Sequence, residues 1–141
     1  MKKFSFNLQK VLQLRKFKEE ECKIELGHAI SNLNIIENEI KITAVKRQSA
    51  ASQRFNATNE IGEWNNYILR LDQETERLME KAAQAEMIVE EKRALYLEAS
   101  KDLKALEKLK EKRKKEHRKE AENYQMAEVD ELNAARYETD V

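Results

Sequence analysis

Proline is absent from this 141-residue chain, glycine occurs only at Gly27 and Gly62, and cysteine only at Cys22. Sheets need turn chemistry every few residues, and so few breakers cannot supply it, which excludes a β-rich fold. A single cysteine cannot close an internal disulfide and fits a reducing cytosol. Long apolar runs are missing as well. Asn7, Gln9, Lys10 and Gln13 interrupt the start, so Met1-Lys2-Lys3 does not open a signal peptide. Nothing approaches the roughly 18 consecutive apolar residues that a membrane span requires. A soluble, cytoplasmic protein is expected.

Chemistry is scarce too. His28 and His117 are far apart in sequence, Cys22 falls on an apolar repeat, and there is no glycine-rich phosphate loop. Carboxylates are plentiful, but long helices offer no pocket in which to desolvate them. The expectation is a non-enzymatic chain with no cofactor and no metal site.

Charged residues make up 38% of the chain and aromatics 6%. Few breakers and abundant Ala, Glu, Lys, Leu and Arg read as long helix or coiled coil. The mean hydropathy of −0.86 would also suit disorder. Disorder favours high net charge without periodicity, however, and here the net charge is zero and the apolar residues recur regularly.

That recurrence is heptad. With Leu12 as an a position, the a and d series between Ile61 and Leu106 is apolar at 12 of 14 places, Thr75 and Lys92 being the exceptions. Between Leu8 and Arg54 it is 9 of 14. Such a seam is the signature of a coiled coil. Turn and cap residues concentrate between Arg54 and Gly62, with Asn59 placed to cap a new helix and Glu60 and Glu63 at its positive end. Beyond Leu106 the seam positions become Lys110, Arg113, His117 and Glu120, none of them apolar. An antiparallel hairpin accounts for that break, because the first helix runs out there. A single continuous helix in a parallel dimer, the alternative of a general scaffolding protein, gives no reason for it.

The expected fold is therefore all-α: a long antiparallel two-helix coiled-coil hairpin with unequal arms, the second helix longer. One domain covers 1–141, with helix 1 over about 5–54, a turn near 55–60, helix 2 over about 60–137, and 110–141 overhanging. Paired positions should sum to about 114, so that Leu8 meets Leu106, Leu26 meets Val89 and Leu33 meets Ala82. The free chain is expected to be a monomer.

Charge is arranged in blocks: +4 over 1–60, −4 over 61–100, +5 over 101–120 and −5 over 121–141. The first two blocks complement each other in a hairpin. The basic run from Lys110 to Lys119, with Arg113, Lys114 and Arg118, is either a solvated helix with glutamates at i±4 or a dock for an acidic protein surface. No aromatic platform interleaves it, which argues against nucleic acid. Leu14, Phe17, Ile24, Ile35, Ile42 and Val45 fall almost opposite the seam and form a candidate partner stripe, scatter or self-association being the plainer explanations. Near the turn, Trp64 and Leu71 are d positions, whereas Phe55 and Tyr67 lie off the seam and are candidates for contact.

Three segments carry a family resemblance. The opening Phe4-Ser5-Phe6-Asn7-Leu8-Gln9-Lys10-Val11-Leu12 is an aromatic-x-aromatic-x-Leu-Gln-x-x-Leu pattern. Trp64-Asn65-Asn66-Tyr67-Ile68-Leu69-Arg70-Leu71 opens the second helix, and Leu106 to Lys112 is followed by Glu128-Val129-Asp130-Glu131-Leu132. In these the chain resembles the flagellar export protein FliJ family over essentially its whole length. The resemblance implies a component of the flagellar type III export apparatus, cytoplasmic and peripheral at its base. Such proteins look like the stalk subunit of a rotary ATPase. Their terminal end enters the ring of the export ATPase, their hairpin end reaches the membrane export gate, and they escort export chaperones. Carried over, the ATPase-binding end would hold Phe4, Phe6, Leu8, Lys110, Arg113, Lys114, Arg118, Tyr124, Asp130 and Glu131. The gate-facing end would hold Phe55, Tyr67 and Leu71.

Overall fold

The structure is a computed structural model that describes residues 3–139; Asp140 and Val141, the last two residues of the expected overhang, lie outside it. Two helices account for the fold, α1 from Gln9–Asn56 and α2 from Ile61–Thr139, joined by residues 57–60. No strand occurs among the described residues. Each helix carries its apolar residues at 3- and 4-residue spacing, so neither can bury its stripe alone, and the pair closes as an antiparallel hairpin within one chain. The second helix is the longer, as expected. α2 starts one residue later than Asn59 would place it: the Glu60 carbonyl accepts the Trp64 N–H at 3.1 Å, and Glu63 lies in the positively polarised first turn.

The chain divides into two compact units, residues 20–98 and the pair of segments 1–19 and 99–141. In the first unit, Ile36, Ala82 and Ala85 form one buried cluster with Leu33 and Ile40 against it, and Ala50, Ile68 and Leu71 form another beneath Trp64 and Tyr67. Leu78 is the most enclosed side chain, at 1% exposure. Small alanines at Ala29, Ala50, Ala82 and Ala85 are among the buried seam residues. Two seam threonines are accommodated by their own helices. Thr43 Oγ1 donates to the Glu39 carbonyl at 2.8 Å, and Thr75 Oγ1 to that of Leu71 at 2.9 Å.

In the second unit, Phe6, Leu12 and Leu106 form the buried cluster, with Phe4, Leu8, Leu103 and Leu109 packed around it. α1 begins at Gln9, later than the expected start near residue 5. The Gln9 N–H is instead satisfied by the Phe6 carbonyl at 3.1 Å in a turn. Residues 3–6 are non-helical, which allows both phenylalanines to reach α2. An irregular chain also advances farther per residue than a helix. Cover over α2 therefore extends past Lys110, as far as His117.

Pairing differs slightly from the expected register. Leu8 does belong to the Leu106 cluster and Leu33 to that of Ala82. Yet Arg15 donates to the Asp102 carbonyl, Lys92 meets Glu25, Arg47 meets Asp72 and Arg54 meets Asn65, so polar partners sum to 117–119. The cause is the connection: centred on 57–60, it pushes every facing pair about one helical turn beyond a hairpin centred on residue 57.

Candidate functional site

The unit formed by 1–19 and 99–141 gathers most of the expected ATPase-facing residues. Phe4 lies against His117, their ring centroids 5.6 Å apart and tilted by 58°. The Arg113 guanidinium sits over the Phe6 ring, 5.8 Å from its centroid, and its Nη1 donates to Asn7 Oδ1 at 2.6 Å. These contacts tie the start of the chain to α2. Phe6 is buried and Leu8 half-buried, so both side chains take part in the packing at this end. Phe4 and Lys110 are partly covered; Lys114, Arg118, Tyr124, Asp130 and Glu131 are exposed.

From Glu122 to Glu138 every side chain of α2 is exposed. That stretch is not purely polar. At about 100° per residue, Tyr124, Leu132, Val129, Met126 and Tyr137 spread in that order over an arc of roughly 220°, more than half of the helix's circumference. Of these five, Tyr124 is an expected site residue, and Val129 and Leu132 belong to a segment that carries the family resemblance. Met126 and Tyr137 carry no heptad phase, and sequence reading missed them.

The unit formed by 20–98 contains the turn. Trp64 and Tyr67 meet edge to face with centroids 6.2 Å apart, and the Arg70 guanidinium lies 5.9 Å from the Tyr67 ring. Beside them Val45, Lys46, Ser49 and Gln53 line an open hollow between the two helices. Phe55 is 90% exposed. Leu71 is buried in the Ala50 cluster, as its d position signals. Ile24, Ile35, Ile42 and Val45 in this unit are exposed, as are Leu14 and Phe17 in the other. The stripe is thus wholly open to a partner.

Electrostatics are local and solvent-facing. Arg77 donates to both oxygens of Glu74, at 3.0 and 2.5 Å, and holds that carboxyl below its usual range. Arg47 Nε donates to Asp72 Oδ1 at 2.6 Å, which raises the arginine's pKa. No group of three or more His, Cys, Asp or Glu able to hold a metal ion occurs among the described residues. No helix among them is long and apolar enough to cross a membrane.

The family model described as Flagellar FliJ protein matches residues 4–140, nearly the whole chain. No curated protein and no solved structure matches it.

Proposed function

The chain belongs to the flagellar FliJ family, and from that premise we propose that it acts as a stalk-like coiled coil between the export ATPase ring and the membrane export gate. As a member of that family it is a non-enzymatic component of the flagellar protein export apparatus. Hydrolysis belongs to the ATPase, and this chain biases assembly and cycling of the ring.

The observation that carries the proposal is the fully exposed stretch 122–138, whose apolar residues spread over more than half of the helix's circumference. A helix with one narrow apolar stripe asks for one neighbour; one whose apolar residues wrap over more than half its circumference is better served by an enclosing partner. A ring provides such an enclosure. The packed helices behind it suit transmission of position, since close-packed side chains resist deformation. Phe55 and Tyr67, near the turn, are the residues assigned to the gate. Leu14, Phe17, Ile24, Ile35, Ile42 and Val45 are assigned to escorted export chaperones, whose helices could lie along them.

The test is ATP hydrolysis and hexamer formation by a flagellar-type export ATPase with the full chain added. Stimulation that disappears when residues 122–141 are deleted supports the stalk. No effect at saturating protein overturns it.

A further inference from the structure

The stalk reading leaves unused a row of lysines on the face of α2 turned away from α1. Lys101, Lys104, Lys108, Lys112, Lys115 and Lys119 follow one another at steps of 3, 4, 4, 3 and 4 residues. At about 100° per residue these six fall within an arc of roughly 80°, and every helix position in that arc over this stretch is lysine. All six are exposed, whereas Leu103 and Leu106 of the same turns face the Leu12 cluster. None makes an ion pair among the described residues. The row runs for roughly 27 Å, with about one ammonium per helical turn. An open hollow follows it, lined by Lys104, Lys108, Lys112 and Lys115 together with Glu107 and Glu111.

We infer that this row is a docking site for an acidic α-helix of a partner protein, one presenting a carboxylate at each turn. The pitch is the argument: a helix lying alongside repeats its carboxylates at about the same 5.4 Å interval as the lysines, so each ammonium meets one partner. Other anions fit less well. A flat anionic membrane would press on Glu107 and Glu111, which border the row on one side, whereas a narrow partner leaves them in water. Single-stranded nucleic acid calls for aromatic platforms, and the row contains none. A second copy of this chain is also a poor match, because its longest carboxylate row at such spacing is Asp72, Glu76 and Glu80. The inference goes beyond the stalk reading and does not depend on it, since its test contains no ATPase.

The experiment measures binding of the full chain to a stapled helical peptide carrying one glutamate per turn, by fluorescence anisotropy at low and physiological salt. A scrambled peptide of equal composition, anionic phospholipid vesicles and a single-stranded RNA are the comparison probes. The variant Lys104→Gln, Lys108→Gln, Lys112→Gln, Lys115→Gln should weaken peptide binding by about tenfold or more, as the loss of several exposed pairs implies. Lys3→Gln, Lys10→Gln, Lys16→Gln, Lys18→Gln removes the same charge elsewhere in the same unit and should weaken it by less than about threefold. Equal binding of the scrambled peptide, equal loss in the two variants, or tighter binding of vesicles or RNA would each overturn the inference.

Discussion

Phe4 and His117 face each other with ring centroids 5.6 Å apart, which fixes the segment around Phe4 onto a point of α2 well past Leu106, the last buried seam position. The apolar repeat thus ends earlier than the packing does. Phe6, buried beside Leu12 and Leu106 beneath the Arg113 guanidinium, is the anchor of that extension.

Replacing the anchor gives the first prediction. Phe6→Ala removes a buried ring and should cost about 3 kcal/mol at the terminal packing, less if the segment collapses onto the gap. Amide exchange over residues 9–16 should accelerate while exchange over 68–85 stays unchanged. Unaltered exchange in both stretches would show that the phenylalanine contributes nothing.

The hairpin seam offers a sharper contrast. Leu78 is 1% exposed, and Leu78→Ala should destabilise the chain by about 2–5 kcal/mol in urea unfolding. Leu14 is 68% exposed, and Leu14→Ala should stay within about 0.5 kcal/mol. Similar effects from the two would mean that the exposed stripe is already covered, for example by self-association.

Glycine at position 27 gives a prediction of opposite sign. It lies inside α1, and a Cβ added there meets nothing within 4 Å. Gly27→Ala should raise stability by about 1 kcal/mol, through helix propensity and a less disordered unfolded chain. A lower midpoint of unfolding would contradict this.

The last prediction concerns pH. Glu74 is held below the usual carboxylate range by hydrogen bonding and charge from Arg77, so the folded state favours its ionised form. The resulting stabilisation is present above the unfolded carboxyl's pKa and is lost as pH falls through the lowered folded value. Arg77→Gln should therefore melt slightly earlier than the parent at neutral pH, and the two melting temperatures should converge in acid. NMR titration of Glu74 should move up to the ordinary range in that variant.

Much of the fold was legible because a heptad repeat is a direct statement of which side chains share a face. Leu12, Ala29, Ile36, Ala50, Leu78, Ala82, Val89 and Leu106 were seam positions on paper and are buried in the molecule. The start was less legible. Phe4 and Phe6 stand two apart, a spacing foreign to a helix, but propensity alone carried the helix through them; tertiary contact with α2 won. Register was shifted because a turn can be moved by two residues without altering either helix's pattern. For the candidate sites, burial decides what sequence cannot. Leu71 is marked by its d position, whereas Phe6 looks like any exposed apolar residue until the neighbours that enclose it are known. The basic run from Lys110 to Lys119 stands out in the sequence, but the single row that begins at Lys101 emerges only when the residues are wound onto a helix.

Between Ala99 and Thr139, α2 contains neither glycine nor proline, so no residue in that stretch invites a hinge. Twist or axial thrust applied to the exposed turns after Glu122 has no joint in which to dissipate. It arrives at the layer where Leu103 and Leu106 engage Leu12 and the two phenylalanines. The small knot of side chains at the start of the chain then works as the far jaw of a clutch, slipping or holding according to the torque delivered to it.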